Sequence, residues 1–148
     1  MYGNGIKAYQ KTDVITADPK RLVIMCYEEA IRSLKVAKGK YLSGEYEAKA
    51  KAIQKAQDII TELLCALDFE KGGRIAKNLE ALYNYMMRRI LAADVNADVK
   101  GLDEVAGMLQ ELRDAWQEVF YGNRGAVPKV TPQLSETGTG KVPSPMYG

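Results

Sequence analysis

Four stretches of this chain carry apolar residues at alternating intervals of three and four, and that repetition constrains the fold more than any other feature. The cleanest is LDEVAGMLQELRDAWQEV, in which Leu102, Val105, Leu109, Leu112, Trp116 and Val119 lie along one helical face. Val23, Tyr27, Ala30, Leu34, Ala37 and Tyr41 trace an earlier stripe, and Ile53, Ala56, Ile60, Leu63 and Leu67 the next. Ile75, Leu79, Leu82, Met86, Ile90 and Ala93 complete the set. A helix striped in this way must bury its apolar face against another element, and four of them can cover one another.

The residues between the stripes set the connections. Pro19 suits a first helical position, with Asp18 as N-cap and Thr16 behind it. Ser43 and Gly44 break the first stripe, the paired Gly72 and Gly73 of FEKGGR read as a loop, and Asp98 after DVNA reads as a cap. The second helix is expected to end near Asp68. The expected helices cover about 19–42, 45–68, 72–96 and 98–121. Connections this short force neighbours to run antiparallel, so the expected fold is all-α, an up-down-up-down four-helix bundle. Basic residues outnumber acidic ones by six to two in the first segment and four to two in the third. Acidic residues lead by five to three in the second and six to two in the fourth. The alternation lets sequence neighbours, and the first and last helices, pack with complementary charge. Beyond Tyr121 the period stops. Residues 122–148 are glycine-rich and hold four of the five prolines, which reads as a flexible tail on a bundle domain of residues 1–121.

Composition excludes several kinds of chemistry. A chain of 148 residues can bury a core without disulfides or a metal. It has no apolar run of membrane-spanning length and no basic-then-apolar leader, so no membrane insertion and a cytoplasmic location are expected. A net charge of +2 argues for no nucleic acid. Histidine is absent, which removes the commonest general base and the Glu-x-x-His pattern of a di-metal bundle. Cys26 and Cys65 have no metal-ligand spacing and read as reduced packing residues. Gly3, Gly5 and Ala8 fit the spacing of a dinucleotide turn, but no strand can precede them. TGTGK fails as a phosphate loop, because Ser135 stands for its first glycine and Val142 for its hydroxyl. Glu28, Glu29, Asp58, Glu62, Glu80, Glu104 and Glu111 fall mostly off the stripes and read as solvated. The expectation is no cofactor, no metal and no catalytic residue.

There is instead more apolar surface than a closed bundle uses. LVIMCY covers a full helical circumference, Ile59 and Leu64 lie beside their stripe, and LYNYMMRRIL adds Tyr83, Tyr85 and Met87. Such a surplus suits a groove for another amphipathic helix, with Met and Tyr adapting to its shape. At the N-terminus, Tyr2, Ile6 and Tyr9 form a small apolar face in a glycine-rich segment, 1–17, too short to fold alone.

Three stretches, YQKTDVITADPKRLVIMCYEEAI, KAQDIITELLCALDFEKGGRIAKNLEALYNYMMRRILAA and LDEVAGMLQELRDAW, resemble the FliS family of flagellar export chaperones, from the N-terminus to about Tyr121. Asp18 stands where the family usually has Ser, and Cys26 where it often has Leu. The resemblance implies a cytoplasmic, non-enzymatic chaperone of the flagellar type III export system. Its client would be the disordered C-terminal segment of flagellin, bound as helices around the bundle and so kept from premature polymerisation. It also implies contact with the flagellar export gate, and a homodimer when no client is present. The family's GIKAY motif matches at residues 5–9, which carries Ile6 and Tyr9 into the client site, with the N-terminal segment docked on the bundle as lid or clamp. Stripe geometry adds Tyr2, Tyr83, Met86 and Met87 as partner-binding residues. A helical scaffold or regulator for another flagellar secretion substrate is the alternative.

Overall fold

The stripes become helices that close around a single core. The computed structural model describes residues 19–122, and within them α1 (Pro19–Leu42), α2 (Tyr46–Cys65), α3 (Phe69–Val95) and α4 (Val99–Tyr121) are the only regular elements. Asp18 and the expected N-terminal segment with Tyr2, Ile6 and Tyr9 lie outside the described residues, as do residues 123–148. α1 packs against α2 and α4, and α3 against the same two neighbours, so the helices form a square with α1 and α3 on one diagonal. Cross-links show that neighbours run antiparallel: Lys38, late in α1, pairs with Asp103, early in α4, and Lys49, early in α2, pairs with Asp94, late in α3. The all-α antiparallel bundle expected from the periodicity is the fold observed.

The core contains a polar centre. Tyr27 of α1 and Tyr83 of α3 are both fully buried, and their hydroxyls meet at 2.5 Å across the diagonal. Trp116 Nε1 of α4 donates to Tyr27 Oη at 3.0 Å. Leu34, Ile60, Leu79, Met86, Ile90, Leu109 and Leu112 belong to the same buried core. Buried phenol and indole groups need partners, and here three helices supply them to one another.

The seams differ in composition. The Glu29–Lys55 ion pair at 2.5 Å marks the flank of α1 that faces α2. Cys26, Ala30, Ser33 and Ala37 share that flank at helical spacing, and Ala52 and Ala56 lie beside it on α2. Small side chains let these two backbones approach closely. α3 approaches its neighbours less closely than α1 does.

Several expectations are corrected. FEKGGR is not a loop: Asp68 Oδ1 accepts the Lys71 amide at 3.0 Å, so it caps α3 and does not end α2, and the helix starts at Phe69. The glycine signal survives as a break inside α3, at Gly73 with φ 51° and ψ −126°. α2 stops three residues short of Asp68, at Cys65, which is exposed and is not a packing residue. Glu29 is buried and not solvated, because Arg32 at 3.0 Å and Lys55 balance its charge. Tyr83 and Met86 are fully buried and present no surface to a partner: both fall on the inner stripe of α3, among Leu79 and Ile90.

The two turns at one end of the bundle are built alike. After α1, Glu45 N donates to Lys40 O at 2.8 Å and Gly44 N to Tyr41 O at 3.1 Å, with Gly44 at φ 79°. After α3, Asp98 N donates to Ala93 O at 2.8 Å and Ala97 N to Asp94 O at 3.3 Å, with Ala97 at φ 53°. Both are Schellman ends, but only the first has the glycine that the left-handed position favours. The expected stop at Ser43 and Gly44 and the expected cap at Asp98, which accepts from Lys100 N at 3.1 Å, are both in place.

Candidate functional site

The α2–α3 seam is bridged by long side chains where the α1–α2 seam is filled by short ones. Lys49 Nζ meets Asp94 Oδ1 at 2.5 Å, Gln57 Nε2 donates to the Met87 carbonyl at 3.2 Å, and Thr61 Oγ1 reaches Met87 Sδ at 3.4 Å. These contacts identify the facing flanks. Leu91 and Val95 follow Met87 at intervals of four and so continue its flank on α3. On α2 the flank runs from Tyr46 through Lys49, Ile53, Gln57 and Thr61 to Leu64 and Cys65.

Much of this seam is apolar and open. Val95 is 75% exposed, Leu91 59% and Tyr46 59%, and Leu42 at the end of α1 is exposed as well. Met87 and Leu64 are half-buried against the core, and Phe69 is exposed just past the α2–α3 connection. Scattered apolar residues need no explanation, but a row along one seam is a candidate binding surface. Tyr46 lies against Tyr41, ring centres 5.8 Å apart, which fixes one end of the row.

The α3–α4 seam is held by charge. Arg89 Nε donates to Glu104 Oε1 at 2.8 Å and Nη2 to Asp98 Oδ2 at 3.3 Å, and the Tyr85 hydroxyl donates to Glu104 Oε2. The Tyr85 hydrogen bond, and then Arg89, hold the Glu104 carboxyl below the ordinary range, while Glu104 pushes the Tyr85 phenol up. Burial, with the Glu62 charge, pushes the Cys26 thiol up to about 12, so it stays protonated and unreactive near neutrality. No group of three metal-binding side chains occurs among the described residues, and no helix there is long and apolar enough to cross a membrane.

Of the partner-binding residues expected from sequence and within the described range, Met87 alone lies on the open seam. Tyr83 and Met86 do not, and Tyr85 faces α4. The residues that sequence reasoning missed are Tyr46, Gln57, Leu91 and Val95. For Leu91 and Val95 the signal was a second stripe with Met87, running one to two positions beside the core stripe of Met86, Ile90 and Ala93.

The molecule is thus an antiparallel helical bundle with one seam closed by small residues and another left open and apolar. The family model for the flagellar protein FliS matches residues 2–123. A flagellar secretion chaperone FliS of Salmonella typhimurium is 39% identical over 125 residues, 80% of this chain and 93% of that protein. The proteins of the same name from Vibrio cholerae and Bacillus subtilis are 35% and 32% identical, over 77% and 82% of this chain and 87% and 90% of their own lengths. The chain belongs to the FliS family of flagellar secretion chaperones.

Proposed function

We propose that this protein is a flagellin-specific export chaperone, acting in the cytoplasm without catalysis or cofactor. Its client is the C-terminal segment of flagellin, disordered alone and helical when bound. The observation that carries the reading is the open apolar row of Tyr46, Met87, Leu91 and Val95 on a bundle of this family. An amphipathic helix laid along it buries its own apolar face at the same time. Covering that face keeps flagellin from polymerising and leaves it ready for the flagellar type III export gate.

Binding requires no nucleotide, because the energy of burial offsets the cost of ordering the client. Residues 1–121 form the binding unit, with 122–148 outside it, and the family match over residues 2–123 supports that division. Tyr2, Ile6 and Tyr9 act with the seam, as lid over the empty groove or clamp on the client. An apolar row left bare also allows homodimers when client is absent.

Calorimetry and circular dichroism with a flagellin C-terminal peptide test the reading. Saturable binding with a gain of client helicity is expected, and the absence of both overturns it. Capture of a different flagellar secretion substrate from extract, with flagellin ignored, turns the assignment to a scaffold or regulator.

A further inference from the structure

The open seam contains one polar point that the bundle leaves incomplete. Gln57 Nε2 donates to the Met87 carbonyl at 3.2 Å, an oxygen that also serves the α3 ladder. Gln57 Oε1, on the same carboxamide, is buried and has no hydrogen-bond partner. A buried acceptor without a donor is destabilising, and Leu or Met at this position would fill the seam without that cost. Apolar side chains flank it along the seam, Leu64 toward one end and Leu91, Val95 and Tyr46 toward the other, interleaved with Thr61 and the Lys49–Asp94 pair. Lys49, Asp94 and Thr61 on the same seam have partners within the bundle, so Gln57 is the seam residue left with an unpaired buried atom. Slipping a helix laid along the seam would leave that atom unpaired and so disfavour every register but one.

We propose that Gln57 sets the register of the client helix in the α2–α3 groove, its Oε1 accepting a hydrogen bond from an Asn or Gln carboxamide within the client's apolar face. This rests on the client reading above. A neutral donor fits because a buried acceptor without charge cannot compensate a desolvated ammonium. The neighbouring Met87 side chain is unbranched and can swing aside without backbone movement. Apolar contacts then hold the client, and the carboxamide pair fixes where along the groove it sits.

The test is a scan in which each Asn and Gln of a flagellin C-terminal peptide is replaced by Ala. Calorimetry is run against the full-length protein and its Gln57→Met and Gln57→Leu variants. One peptide position is expected to lose about tenfold affinity against the wild type and less than about twofold against either variant. Both variants should melt no lower than the wild type, since each removes an unpaired buried acceptor. If every peptide change has the same effect on all three proteins, the register role fails while the client reading stands. If the unaltered peptide does not bind the wild type, the client reading falls and the register role with it.

Discussion

α2 takes part in two seams of opposite character. Toward α1 it presents Ala52 and Ala56 to a flank of Cys26, Ala30, Ser33 and Ala37, and the one charge enclosed there, Glu29, is paired twice. Toward α3 it presents Tyr46, Gln57, Thr61 and Leu64 to Met87, Leu91 and Val95, with bridging contacts and exposed apolar ends. A seam of small residues brings backbones together and leaves nothing for a partner to fill. A seam of long residues keeps them apart and leaves apolar surface accessible. The same helix can therefore anchor the fold on one side and offer a surface on the other.

The closed seam should be intolerant of size. Ala56→Leu adds three carbons at a fully buried position and is expected to cost about 1–3 kcal/mol in urea unfolding. A change below about 0.5 kcal/mol would mean that the seam is not tightly packed. Tyr27→Phe probes the polar centre behind both seams. It leaves the Trp116 indole without its Tyr27 acceptor and should cost about 1–3 kcal/mol by the same measurement. The open seam should show the reverse pattern. Leu91→Asp is expected to change stability by less than about 0.5 kcal/mol and to weaken flagellin-peptide binding about tenfold or more by calorimetry. Equal loss of stability and binding would erase the contrast between the seams.

Smaller effects separate the two Schellman turns. Gly44→Ala places a side chain in the left-handed region and should cost about 1 kcal/mol, whereas Ala97→Gly relieves that strain and should stabilise by about 0.5–1 kcal/mol. Thermal melts of the pair should therefore shift in opposite directions.

The smallest effect is electrostatic. The folded state holds the Glu104 carboxyl below its ordinary value of 4.5, so its contribution is fully present above that pH and is lost as pH falls through the folded value. The melting-temperature difference between wild type and Glu104→Gln should be constant above about pH 5.5 and shrink below about pH 4.5. A difference that persists through the acid range would show that the α3–α4 clamp does not depend on the carboxylate's charge.

Much of the fold was legible because helical periodicity is a local signal. The inward residues Leu79, Met86, Ile90, Leu109 and Leu112 all lie on stripes visible in the sequence, and Gly44 and Asp98 stand where the chain turns. The site was far less legible. Met86 and Met87 are adjacent and chemically identical, yet one is fully enclosed and the other flanks the open seam. A step of one residue rotates a side chain by about 100°, so small uncertainty in the direction of the core moves a residue from interior to surface. Glu29 and Gln57 were hidden for a related reason, since partners on other helices decide whether a buried polar group is satisfied.

By itself, then, the sequence determined the number of helices, their approximate limits, their antiparallel order and the family to which the chain belongs. Those features depend on spacing, caps and turns within a few residues of one another. Only the tertiary structure decided which flank of each helix is closed, that Tyr83 and Met86 belong to the core, and that α2 and α3 leave an apolar row with an unpaired acceptor in it. Such properties arise between helices, from the distance at which side chains of particular lengths hold two backbones apart, and no single stripe carries that information.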